Sequence, residues 1–88
     1  MSNFNNEIVE KVSIFLQNYM KQNKIQQLSA DDCASLLNKN NILPNDIGPK
    51  KGFNFRQMLR DGRDGLIEKV DGTYQEKPRS RWYIYLKK

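Results

Sequence analysis

Between Asn6 and Lys21 the apolar residues Ile8, Val9, Val12, Phe15, Leu16, Tyr19 and Met20 recur at intervals of three and four. Glu7, Glu10, Lys11, Gln17, Asn18 and Lys21 fill the other side, which predicts an amphipathic helix over about 6–21. Acids open this segment and Lys21 stands near its end, as the helix dipole favours; Gln22-Asn23 is the expected close. Ile25–Leu28 is too short for a layer of its own and suits an extended connector or edge strand. Ser29 then offers a cap for a second helix over about 30–39, with Leu28 and Cys33 at the spacing of a hydrophobic staple. Cys33, Ala34, Leu36 and Leu37 form its inward side, and Asn40 or Asn41 suits its end.

A turn-rich stretch, Asn45-Asp46-Ile47-Gly48-Pro49, follows Ile42-Leu43-Pro44. Asn54 is the expected cap of a third helix over about 55–61, with Gln57 three residues on and Phe53 and Met58 at staple spacing. Phe55, Met58 and Leu59 point inward; Arg56, Gln57, Arg60 and Arg63 are left outside, and Gly62 or Gly65 ends the helix. Leu66–Val70 reads as a strand and Asp71-Gly72 as a hairpin signal. Residues 81–86 read as a stronger strand, with Trp82, Ile84 and Leu86 on one face and Arg81, Tyr83 and Tyr85 on the other. Thr73–Ser80 is then either the loop between these strands or, after a tight turn at Asp71-Gly72, a further strand over Thr73–Lys77. Both patterns fit.

Charge changes this picture. Met1–Pro49 carries four lysines against five acids, a balance of −1, whereas Lys50–Lys88 carries six lysines and five arginines against five acids, a balance of +6. The whole excess of +5 therefore lies in the C-terminal part, and all the arginines with it. A near-neutral scaffold ending in a basic tip suits a nucleic-acid reader, whose affinity comes mainly from neutralising phosphates. The 88 residues allow one domain, 1–88, with a modest core.

Several chemistries are disfavoured. There is no histidine to act as general base or metal ligand. The single cysteine, Cys33, sits on an apolar helix face with nothing to activate it, so a small buried hydrophobe is expected. A lone cysteine also fits a reducing compartment, and the cytoplasm is the expected location. No run approaches the roughly 18 apolar residues of a membrane span. Asp61, Asp64 and Glu68 sit among glycines and read as turn chemistry with local ion pairs, not as a metal cluster. No catalytic residue, metal site, cofactor or small-molecule substrate is inferred.

The order helix, short extended piece, helix, turn, helix, strand, basic loop, strand resembles the winged helix-turn-helix superfamily over nearly the whole chain. The resemblance implies an α+β fold, three helices followed by a small antiparallel hairpin, with the third helix in a major groove and the hairpin loop on flanking backbone. Carried onto this sequence, it assigns Asn54, Arg56, Gln57, Arg60 and Arg63 to a recognition helix. It assigns Lys50, Lys51, Lys69, Lys77, Arg79 and Arg81 to the wing and its flanks. The expected partner is double-stranded DNA, the activity non-enzymatic binding, and the role transcriptional regulation. A small monomer binds weakly, so homodimerisation through the first helix is expected as well. Two other readings use the same surface: a protein-interaction module of winged-helix shape, and an RNA or single-strand binder using exposed tyrosines.

Overall fold

The computed structural model describes residues 4–44, 51–77 and 80–87. The first helix, α1, runs Asn6–Asn23; Asn5 caps it by accepting from the Ile8 amide at 2.9 Å. It ends at Asn23, within the expected Gln22-Asn23 close, but the left-handed cap falls on the next residue. Lys24 takes the left-handed conformation (φ 56°) and its amide bonds the Met20 carbonyl, while Asn23 reaches back from its side chain to the Tyr19 carbonyl. The strand β1, Gln27–Ser29, leads directly into α2, Ala30–Lys39. Ser29 caps α2 as expected, its Oγ accepting from the Asp32 amide at 3.1 Å. Asn40 closes it.

The third helix, α3, spans Phe53–Arg63, so it begins two residues before the expected start and ends two after the expected end. Asn54 is not its cap. Gly52 holds that position with φ 82° and no side-chain cap bond, and Asn54 Nδ2 instead donates to the Pro44 carbonyl at 3.1 Å. The bond ties α3 to the connection that follows α2.

The sheet corrects the sequence reading twice. First, Leu66–Val70 is not a strand. The Leu66 amide bonds the Asp61 carbonyl (2.9 Å), the Glu68 amide bonds Asn6 Oδ1 (2.8 Å) and the Val70 carbonyl accepts from the Thr73 amide (3.2 Å), so α3, α1 and a local turn take up this backbone where a ladder was expected. Second, the open alternative resolves in favour of a strand after Asp71-Gly72: β2 is Thr73–Gln75. The last strand, β3, is Trp82–Tyr85, shorter than 81–86. All three strands pair antiparallel in the order β1-β3-β2, so the connector between the first two helices completes a three-stranded sheet rather than a lone hairpin. Leu28 and Thr73 both lie opposite Ile84.

One apolar cluster joins these elements. Val9, Val12, Leu16 and Met20 from α1, Cys33 and Leu37 from α2, Phe55, Met58 and Leu59 from α3, and Trp82 and Ile84 from β3 are buried in it. Each large side chain removed from water contributes roughly 1.5–3 kcal/mol, so the stripe on α1 and the alternation in β3 set the docking of helices on sheet. Gln17 adds polar stitching: its Nε2 donates to the Tyr85 and Asp71 carbonyls (3.0 and 3.2 Å), and its Oε1 accepts from the Lys87 amide at 2.9 Å. The fold is thus α+β, with α3 and the β2–β3 hairpin brought side by side. No helix among the described residues is long and apolar enough to cross a membrane.

Candidate nucleic-acid interface

On α3, Phe55, Met58, Leu59, Asp61 and Gly62 are buried, and Arg56, Arg60 and Arg63 run along one flank of the helix at helical spacing. Across from them, β3 begins with Trp82, preceded by Arg81. These four arginines line one open groove of about 850 Å³, with Ser29, Ala30 and Asp31 from the start of α2 and Gln75, Ser80 and Trp82 from the hairpin. Two distant stretches of sequence therefore deliver their cations to a shared surface.

Each arginine of α3 is held by neighbours. Arg56 Nη1 pairs with Asp31 Oδ1 at 2.7 Å, and its Nη2 donates to the Lys51 carbonyl at 3.3 Å. Arg60 Nη2 donates to Gln57 Oε1 at 2.9 Å while its guanidinium stands 5.2 Å from the Phe53 ring centre. Arg63 Nε pairs with Asp64 Oδ1 at 3.1 Å, and its guanidinium lies 5.8 Å from the Trp82 ring centre. Such contacts restrict rotamers, so less side-chain freedom is lost when a ligand is gripped. They also neutralise charge. Asp31 and Asp64 offset two of the arginines, and the groove is less basic than the bare count of cations.

The other expected site residues divide. Gln57 bonds Asp61 Oδ1 at 2.8 Å as well as Arg60, and does not line the groove; it orients Arg60. Asn54 is half-buried and engaged with Pro44. Lys51 is exposed beside Arg56, in a depression that also includes Asp31 and Gly52. Lys69 lies on the flank, in a notch of about 290 Å³ with Leu59, Val70 and Trp82. Lys77 is exposed at the hairpin tip, where Ser80 Oγ accepts from its amide at 3.0 Å and donates to its carbonyl at 2.7 Å. Lys50 and Arg79 lie outside the described residues. Sequence reasoning missed the contribution of α2: the Ser29 cap marks where that helix starts, but nothing local says that its first turn meets Arg56.

The carboxylates behave as turn and pairing groups. Asp64 pairs with Arg63 and Asp61 is buried against Gln57. Among the described residues no group of three potential metal ligands forms, Asp61, Asp64 and Glu68 included. Burial, helped by the Asp32 carboxylate, pushes the Cys33 thiol up to about 12, so it is protonated at neutral pH and unsuited to nucleophilic attack. Tyr83 and Tyr85 lie on the sheet face away from Trp82, and Tyr85 meets Tyr74 edge to face.

Comparison with known proteins finds no matching family model, no matching curated protein and no matching solved structure. The functional reading rests on the residues themselves.

Proposed function

We propose that this chain binds double-stranded DNA as a small winged-helix protein, without turning over a substrate. One observation carries the reading: Arg56, Arg60 and Arg63 of α3 and Arg81 of the hairpin line the same open groove. In this reading α3 enters the major groove, where Arg60 reads a base edge or grips phosphate, and Arg81 and Lys77 hold the flanking backbone. The order of three helices followed by an antiparallel strand pair supports the winged helix-turn-helix reading. A role in cytoplasmic gene regulation belongs to the same proposal.

The test is duplex affinity as a function of salt. Binding that neutralises several phosphates falls steeply between about 50 and 200 mM salt. Absence of binding at the low end would transfer the surface to a protein partner. Stronger binding to RNA than to duplex DNA would reassign it to RNA.

A further inference from the structure

We propose that the outer face of the sheet is a second nucleic-acid site, which stacks an unpaired base delivered by a strand running on from the arginine groove. This inference rests on the duplex-binding reading and extends it to duplexes with a single-stranded tail.

The outer face carries Tyr74 on β2 and Tyr83 and Tyr85 on β3, with Tyr74 directly opposite Tyr83. Tyr74 and Tyr85 are among the most exposed large apolar side chains described, at 44% and 39%. Their rings meet at 5.3 Å and 75°, forming an L-shaped corner. A base seated there stacks on one ring and presents its own edge to the face of the other, the two arrangements that aromatic quadrupoles favour.

Charge directs the occupant. The corner opens into a cleft of about 500 Å³ whose lining includes Tyr74, Tyr83, Tyr85, Glu76 and Arg81. Arg81 also lines the groove of the α3 arginines, so it is the joint between the two surfaces. A backbone held at Arg81 presents its next base to the tyrosines. Glu76 repels a phosphate but accepts a hydrogen bond from an exocyclic amine, so the cleft suits a base with its phosphate left at Arg81. An acidic peptide would meet Glu76 unfavourably, and an apolar one would leave Arg81 unused. Base stacking tolerates any sequence, because every base has a π-face.

The experiment compares a blunt duplex, the same duplex with a short oligo-dC tail, and the free oligo-dC strand, by fluorescence anisotropy. The tail is expected to tighten binding by about tenfold, within what one or two stacked bases supply. Tyr74→Ala and Tyr85→Ala should each remove most of that gain while leaving blunt-duplex affinity unchanged. Tyr74→Phe and Tyr85→Phe should keep it, because stacking needs the ring and not the hydroxyl. A tail that adds nothing, or alanine variants that weaken blunt and tailed duplexes alike, overturns the proposal and leaves duplex binding standing. Tyrosine-dependent binding of the free strand without duplex binding sinks the duplex reading and keeps the stacking site. Melting curves of each variant separate loss of the site from loss of fold.

Discussion

Arg56 on α3 and Asp31 in the first turn of α2, both lining the groove, form an ion pair at 2.7 Å, with Arg56 a quarter exposed and Asp31 largely open to water. The pair links α3 to α2 at the surface and removes one cation from the surface offered to phosphate. Asp31→Asn should release Arg56 and delete an anion from the groove. Duplex affinity is expected to rise about three- to tenfold, with a steeper salt dependence. Stability should fall by no more than about 1 kcal/mol, since an exposed pair and a carboxylate near a helix N-terminus each contribute little. Unchanged affinity by anisotropy would place Asp31 and Arg56 outside the contact surface.

Arg60 separates base reading from phosphate gripping. It is braced by Gln57 and Phe53, as a side chain held for a directional contact would be. If Arg60 reads a base, Arg60→Ala costs about 1–3 kcal/mol on a preferred sequence and little on others. Arg81→Ala should weaken all sequences alike. A selection for preferred sites, repeated with each variant, reads this contrast; equal, sequence-blind losses from both would reduce α3 to an electrostatic grip.

Gly72 is fixed by geometry. Its φ is +83°, its carbonyl accepts from the Tyr85 amide at 2.8 Å, and a Cβ there would collide with the Tyr85 carbonyl oxygen. Gly72→Ala should destabilise the fold by more than about 1 kcal/mol. Gly65 also has positive φ (79°), but a Cβ there meets nothing within 4 Å, so Gly65→Ala should cost less. Urea unfolding of the two variants ranks them, and the reverse order would refute the account of the turn.

Cys33 makes stability pH-dependent in the alkaline range. Its thiol rises from 9.0 to about 12 in the fold, first through burial and then through Asp32. Above pH 9 the unfolded chain ionises this thiol while the native chain keeps its proton. The native state therefore binds more protons, and stability falls as pH rises toward 12. Cys33→Ala should flatten this decline by up to about 1.4 kcal/mol per pH unit. Denaturation midpoints across the window test it; identical slopes in both proteins would mean that the thiol does not carry the effect.

Much of this fold was legible because local signals and burial agree. The stripe on α1, the Ser29 cap and the alternation in β3 each specify both an element and the face it buries. The errors fell where a distant group satisfied the backbone. Leu66–Val70 has strand-forming residues, yet Asn6 takes up the Glu68 amide, Ser13 the Asp71 amide just beyond it, and Asp61 the Leu66 amide, so no ladder forms. Asn54 has the chemistry of a cap, but the chain turns at Gly52 and leaves the side chain to Pro44. The arginines were legible as a charge asymmetry, and their convergence was not, because it depends on how the hairpin docks beside α3. Asp31 was invisible for the same reason: twenty-five residues separate it from Arg56.

The central claim is that the α3 arginines and Arg81 act as one phosphate-binding surface. The salt dependence of duplex affinity tests it most directly, measured for the native chain, for Arg60→Ala with Arg81→Ala, and for a control pair, Lys11→Ala with Lys24→Ala on α1 and its cap. Each lost phosphate contact reduces the slope of log affinity against log salt by about 0.9, so the arginine pair should lower it by about 1 if Arg60 reads a base and by about 2 if it grips phosphate, and the control pair should not change it. Equal reductions from both pairs, or none from the arginines, would contradict the account.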